Sequence, residues 1–425
     1  MSMSTKSACL LTGAFGAAKG ECMSTTTVAA PQSYRVPLIA TAAIVLGALL
    51  IGVVFDANIG LLMIVGGLFG MVLYHAAFGF TSAWRVFITE RRGRGLRAQM
   101  VMLAIAVVLF FPALGAGTLF GNEVSGFVAP IGISVLVGAF LFGVGMQLGG
   151  GCASGTLFTA GGGNARMLIT LVFFIVGSVI GSAHFAWWQS LPAFQPVSLV
   201  NVAGVSGGIA ISLVLFAAIA AFTWVMEKRR HGQLEQAPMV DKHGYERWLT
   251  GPWPLVAGAV ALALLNFATL ALAGRPWGIT SAFALWGAKG FELVGGDVSQ
   301  WGYWQSPGNA AALKASVWSD ITTVMNVGIM LGALAAASLA GRFAPNFRIP
   351  LKSILAAVIG GILLGYGARL AFGCNIGAYF SGIASGSLHG WVWLVAAFAG
   401  NMFGVKLRPF FFAGVEGRKP TAKTC

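Results

Sequence analysis

The chain has 425 residues, 57% of them hydrophobic and only 9% charged, and its mean hydropathy is +0.83. That leaves too little polar surface to coat a soluble globule of this length, so the chain belongs in a bilayer. A net charge of +14, from 26 basic and 12 acidic residues, does not mark a nucleic-acid binder, because the basic residues are scattered between apolar spans and form no basic domain; that distribution is the one that orients a membrane protein.

In chain order, residues 1–35 read as a disordered segment. The apolar run from Ala8 to Ala18 is short and is followed at once by Lys19 and Glu21, which argues against a signal peptide and leaves Met23 as a candidate start of translation. Cys9, Cys22 and Cys425 lie in terminal segments, form no Cys-x-x-Cys pair and receive no role. Apolar stretches long enough to cross a bilayer fall at 36–55, 59–80, 98–120, 127–149, 166–190 and 201–226, which make a first membrane half of 36–226. An interval at 227–251 mixes Glu227, Lys228, Arg229, Glu235, Asp241 and Glu246 and reads as a cytoplasmic linker. Further spans at 252–273, 317–340, 352–373 and 387–405 make a second half of 252–410, with 411–425 as a tail. The fold class expected is therefore an all-α polytopic membrane protein of ten spans.

Lys and Arg follow the even-numbered spans: Arg85 to Arg97 after the second, Lys228 to Arg230 after the sixth, Arg342, Arg348 and Lys352 after the eighth, and Lys406 to Lys423 at the end. By the positive-inside rule both termini are expected in the cytoplasm. The opposite loops are poor in Lys and Arg, 121–126 and 191–200 having none.

Two cysteines stand at matching points of an internal repeat. A shift of 222 positions superimposes Gly143, Gly145, Leu148, Gly151, Cys152, Gly155 and Phe158 on Gly365, Gly367, Leu370, Gly373, Cys374, Gly377 and Phe380. Upstream, Gly79-Phe-Thr81-Ser82 matches Gly278-Ile-Thr280-Ser281 with a shift of 199. Spans two to five then correspond to spans seven to ten, and an offset of five helices inverts the second copy in the membrane, as in inverted-repeat transporters. The stretches 79–90, 152–164, 279–290 and 374–386 are short and rich in Gly, Ser and Thr; they are expected to be short or re-entrant helices buried in protein or lining a water-filled path. Sixty glycines, about double the usual roughly 7%, fit close helix packing and broken helices.

The run Gly143-Val-Gly-Met-Gln-Leu-Gly-Gly-Gly-Cys-Ala-Ser-Gly155 and the turn Gly373-Cys374-Asn-Ile-Gly377 resemble those of the YeeE/YedE membrane proteins associated with sulfur transport. The resemblance covers roughly residues 36–410. It implies an inverted-repeat fold that passes thiosulfate along a central line of cysteine thiols across the bacterial inner membrane, with no cofactor and no metal, the lipid bilayer as surroundings and a cytoplasmic sulfur-carrier protein as partner. The family's two cysteine motifs carry over to Cys152 and Cys374. A further family cysteine would fall close to Gly79, which has no thiol; a related sulfur anion, or the use of Thr81 and Ser82 in its place, stays open.

A thiol is a weak donor on a polarizable atom, so it suits a soft sulfur centre that must also be released. Short helices that start near each cysteine would add backbone N–H groups and a positive dipole end. The alternative for Cys152 and Cys374 is that of small buried apolar residues. Arg369, five residues before Cys374 and matched by Gln147 in the repeat, is a candidate for attracting the anion or for a structural pairing inside the membrane. Ser154, Thr280, Ser281, Asn375 and His389 complete the candidate path, beside Tyr379, Thr156, Asn164 and Ser381 as path donors or caps. His75, His184 and His389 read as satisfied histidines near span ends, and Trp301, Tyr303 and Trp304 as an interfacial aromatic cluster. A thiol enzyme lacks an activating base or resolving cysteine in sequence beside Cys152. Cu(I), sulfite and selenium species remain rival substrates, although the 14 methionines show no Met-x-x-Met clustering.

Overall fold

A computed structural model describes residues 34–236 and 244–413; the expectations for residues 1–33, Met23 and the terminal cysteines lie outside them. Helices dominate, and among the described residues ten helical segments are long and apolar enough to cross a membrane. The first copy consists of α2 (Ala57–His75), α3 (Phe80–Glu90), α4 (Arg94–Ala116), α5 (Ile133–Gly149), α6 (Ala153–Gly161) and α7 (Ala165–Ala183), preceded by α1 (Arg35–Val54) and followed by α8 (Phe185–Gln189) and α9 (Leu199–His231). After α10 (Gly244–Thr250), the second copy runs through α11 (Leu255–Ala273), α12 (Thr280–Leu293), α13 (Pro307–Lys314), α14 (Ile321–Leu339), α15 (Leu351–Leu370), a π-helical turn Asn375–Ser381, α16 (Gly382–Ala384) and α17 (Leu388–Phe412). Two short antiparallel ribbons, Thr118–Leu119 with Asn122–Glu123 and Ile131–Gly132 with Ala193–Phe194, tie loops together.

Helix starts follow side-chain caps. Asp56 accepts from Asn58 N at 2.8 Å to open α2, and Asp320 accepts from Thr323 N at 2.7 Å to open α14, each satisfying a backbone donor with no partner inside its helix. Some boundaries differ from the hydropathy reading for identifiable reasons. The expected fourth span from 127 begins at Ile133, because Phe127 and Ala129 are held as loop by the Ser385 and Ser387 hydroxyls at 2.9 and 3.4 Å. The expected third span from 98 begins at Arg94, whose helix takes in Arg97, long basic side chains being able to reach out of the apolar layer. Helix α9 continues to His231, five residues into the interval expected to be linker, and the fifth expected span divides at His184 into α7 and α8.

Packing repeats with the sequence. Helix α7 lies against α15 as α17 lies against α5, α2 lies against α14 as α11 lies against α4, and α5 meets α15 in the middle. Glycines set these approaches. A Cβ on Gly365 would sit 2.1 Å from Phe174 O and one on Gly177 2.3 Å from Ile362 O; in the other copy, one on Gly143 would sit 2.1 Å from Ala397 O and one on Gly400 2.0 Å from Phe140 O. These are equivalent contacts, and they bring backbones together where lipid-embedded helices have dispersion rather than water exclusion to hold them. Gly177 and Gly400 lie 223 apart instead of 222. Phe158 and Phe380 still lie 222 apart, so the extra residue falls between Phe380 and α17, where the π-helical turn Asn375–Ser381 ends.

Candidate functional site

Both cysteines cap a short element. Cys152 is the N-cap of α6, its Sγ accepting from Gly155 N at 3.4 Å and lying 3.3 Å from Ser154 Oγ. Cys374 caps the π-helical turn, its Sγ accepting from Ile376 N at 3.4 Å. The expected helix starts at the thiols are therefore present, with N–H groups directed at each sulfur. Both residues are buried in the main core, and α6 touches the π-helical turn. In each copy the chain reverses just before the thiol through a left-handed residue, Gly150 at φ 89° in the first and Phe372 at φ 58° in the second.

One cavity borders the Cys374 turn, and a second opens at the repeat-equivalent place in the first copy. The larger, about 510 Å³, reaches Gly373 and Gly377 on either side of Cys374 and is walled by Gly278, Thr280 and Ser281 at the start of α12. Its lining includes Arg275 and Arg369 and no carboxylate. The smaller, about 160 Å³, is walled by Gly79 and Ser82 at the start of α3 and by Arg92, Arg94 and Glu235. Since Gly79 and Ser82 are the repeat partners of Gly278 and Ser281, the two cavities open on the same edge of the short helix in opposite copies. Their electrostatics differ. Arg94 faces Glu235 at 4.0 Å and Arg92 faces the buried Glu227 at 3.5 Å, whereas neither arginine of the larger cavity has an acidic partner among the described residues.

Of the expected path residues, Thr280, Ser281 and Arg369 line the larger cavity and Ser82 the smaller, whereas Cys152, Cys374, Thr81, Ser154 and Asn375 are buried and line neither. Thr280 accepts from Arg369 Nη2 through its carbonyl at 3.1 Å and its hydroxyl at 3.3 Å. Ser281 donates to Thr322 Oγ1 at 3.0 Å and Ser82 to Gly79 O at 3.1 Å. Thr81 Oγ1 and both polar atoms of Asn375 are buried without a hydrogen-bond partner, which is costly unless something polar visits them. A Cβ at Gly79 would come within 2.5 Å of Ser82 Oγ, so a thiol fits there only if that hydroxyl turns away. Among the other named donors, Thr156 Oγ1 donates to Cys152 O at 2.8 Å, Ser381 Oγ to Trp277 O at 2.7 Å, and Asn164 caps α7 away from the thiols. Tyr379 packs in an aromatic group with Phe80, Trp84 and Trp393, its hydroxyl buried and unpartnered.

One expectation needs correction and a second needs extending. His389 is neither interfacial nor satisfied: it is fully buried, its Nε2 is 3.0 Å from Ala371 O, and its Nδ1 has no partner. An apolar surround built by Phe127 and Phe372 accounts for this, and its sequence position at a span end could not reveal it. Tyr303 keeps its place in the aromatic cluster, its ring 4.9 Å from that of Trp304, but it also lines the larger cavity, where its hydroxyl accepts from Arg369 Nη1 and its ring lies 4.7 Å from the guanidinium carbon. With Arg275 and Thr322, Tyr303 is what the sequence reading missed; the signal available was only its place in a loop poor in basic residues. His184, by contrast, is partly exposed beside Tyr366 OH at 3.1 Å, as expected of a span end.

The sequence profile described as sulphur transport matches residues 75–403. The probable transporter YedE of Escherichia coli K12 is 34% identical over 179 residues, 41% of this chain and 43% of that protein, so the match spans less than half of that relative's length. The thiosulfate transporter TsuA of Spirochaeta thermophila is 29% identical over 360 residues, 80% of this chain and 96% of its own, and the TsuA of Escherichia coli K12 is 24% identical over 344 residues, 78% and 90%. With most of its length and both cysteine motifs inside the matched segment, the chain belongs to the sulphur-transport family.

Proposed function

We propose that this protein carries thiosulfate, or a closely related small sulfur anion, across the bacterial inner membrane into the cytoplasm, with both termini on the cytoplasmic side. The observation that carries this reading is the pair of buried thiols capping equivalent short helices beneath a cavity with two arginines and no carboxylate. The TsuA relatives, covered almost end to end, support the choice of thiosulfate. On the positive-inside orientation the larger cavity is the outer vestibule. There Arg275 and Arg369 raise the local anion concentration. The anion then exchanges part of its water shell for the Cys374 and Cys152 S–H groups, the helix-start N–H groups and the unpartnered Asn375 and Thr81 side chains. Each contact is weak, so no site holds the anion long enough to block flux. Thr81 and Ser82 serve as hydroxyl contacts at the inner exit, in place of a thiol at Gly79. The bilayer surrounds the spans, and a cytoplasmic sulfur-carrier protein is the partner that would take the delivered anion.

Uptake of radiolabelled thiosulfate into cells lacking other sulfur-uptake systems tests this reading, with Cys374→Ala as the comparison and unlabelled sulfite, sulfate and selenite as competitors. The expected result is uptake that disappears with the thiol and is displaced best by thiosulfate. Equal uptake by a well-inserted Cys374→Ala variant would refute the thiol path; uptake displaced better by sulfite or selenite would replace the substrate.

A further inference from the structure

At one pair of repeat-equivalent positions the two copies do the same structural job with opposite hydrogen-bonding character. Gln147 and Arg369 each stand in the last turn of a spanning helix, five residues before a cysteine. Each donates to the carbonyl of the threonine in its own copy's Thr-Ser motif, Gln147 Nε2 to Thr81 O at 3.4 Å and Arg369 Nη2 to Thr280 O at 3.1 Å. What each has left over differs. Gln147 also gives its amide N–H to Asn401 Oδ1 at 2.6 Å, and Asn401 is oriented by its own donation to Ala397 O at 2.8 Å, which fixes both amides. The Gln147 Oε1 atom is thereby buried as an acceptor with no partner. Arg369 instead leaves Nε, a donor, buried and unpartnered, on a full positive charge that meets no carboxylate among the described residues.

An anion passing the Arg369 station meets a free donor and a cation on one side chain; at the Gln147 station the side chain offers a lone pair, and the neighbouring cation, Arg408, is turned to the Gln147 carbonyl, to which its Nη1 donates. We infer that Arg369 makes the outer half of the path the anion-holding site and Gln147 makes the inner half the releasing site, so that transport half-saturates at a lower anion concentration from the outer face than from the inner. The inference rests on the reading of the path as a sulfur-anion conduit. Charges near the inner cavity act in the same sense, since Glu227 and Glu235 there partly offset Arg92, Arg94 and Arg97. Such an asymmetry leaves the final equilibrium of a passive conduit unchanged and appears only in the half-saturation and maximal rate measured from each side.

The test compares right-side-out with inverted membrane vesicles, using radiolabelled thiosulfate with the membrane potential held at zero. For the unaltered protein the outer half-saturation concentration is expected to be lower by about tenfold, the scale of one hydrogen bond to a charged group. Arg369→Gln is a substitution that the fold already performs at Gln147, where a glutamine holds the threonine carbonyl, so the helix contact should survive; this variant is expected to bring the two half-saturation values together. Arg369→Lys, which keeps the charge, should retain part of the difference. Equal values from the two faces in the unaltered protein, or a difference that persists in Arg369→Gln, would overturn the inference while leaving the thiosulfate reading intact. Absence of thiosulfate flux from both faces would overturn both.

Discussion

The first copy turns toward its cysteine at Gly150 and leaves it through the regular helix α6, whereas the second turns at Phe372, φ 58°, and leaves its cysteine through a π-helical turn. Around these differences the scaffold hardly changes: the glycines that let α5 meet α17 are matched by those that let α15 meet α7. A left-handed backbone costs a non-glycine residue about 1–2 kcal/mol, and the copy that bears this cost is the one whose turn floors the larger cavity, with Phe372 in its wall. The two copies therefore keep in common what holds helices together, and they diverge where side chains face the path. Gln147 against Arg369, and Gly150 against Phe372, are repeat-equivalent positions where the duplicated halves differ in chemistry.

The strongest way to break this comparison is at the residues that the copies share. Cys152→Ala and Cys374→Ala are each expected to reduce thiosulfate uptake to background, while the detergent-purified proteins keep their elution volume and melt within a few degrees of the unaltered protein. Each loses one sulfur with no change in the glycine contacts, and truncating so small a buried side chain costs about 1–2 kcal/mol at most. If one of the two variants kept full uptake, the thiols would not be equivalent stations and the duplicated path would reduce to a single site.

Glycines supply the next contrast, because two in the same motif should fail for different reasons. Gly365→Leu puts a side chain where even its Cβ would be 2.1 Å from Phe174 O, so α7 and α15 must separate. A loss of about 3 kcal/mol or more, or failure to insert, is expected. Around Gly377 a Cβ meets nothing within 4 Å, and the residue borders the larger cavity beside Cys374. Gly377→Ala should melt within about 0.5 kcal/mol of the unaltered protein while lowering uptake several-fold. Thermal melts and uptake measured on the same preparations separate the two outcomes, and a Gly377→Ala protein with full flux would mean that the anion does not pass that wall.

Much of this was legible in the sequence. The spans could be read because twenty apolar residues have no other home, and the cysteines because two copies of a glycine frame single out the same position. The four short helices followed from their Gly, Ser and Thr content. What stayed hidden depends on contacts between distant segments. Tyr303 reaches Arg369 across 66 positions and three intervening helices, and nothing in its own neighbourhood announces that. His389 looked interfacial because it opens a span, yet Phe127 from another loop closes over it. The start of α5 was set by the hydroxyls of Ser385 and Ser387, roughly 250 residues further on. Local hydropathy sees none of these.

The mildest expected effect sharpens the comparison at Arg369. Tyr303 both accepts a hydrogen bond from Arg369 Nη1 and offers its ring face to the guanidinium, and nothing equivalent is available to the neutral Gln147. Tyr303→Phe removes the first interaction and keeps the second. A lost hydrogen bond to a charged group costs about 1.5–3 kcal/mol when its partner stays dry, but Arg369 borders a cavity roomy enough for water to replace the phenol. The net change should then be small, a two- to fivefold rise in the outer half-saturation concentration, on the order of 0.4–1 kcal/mol. The inner value should not move, because Tyr303 touches only the larger cavity. A rise on both faces would mean that Tyr303 supports the fold in general, and a change confined to the outer face would assign it to holding Arg369.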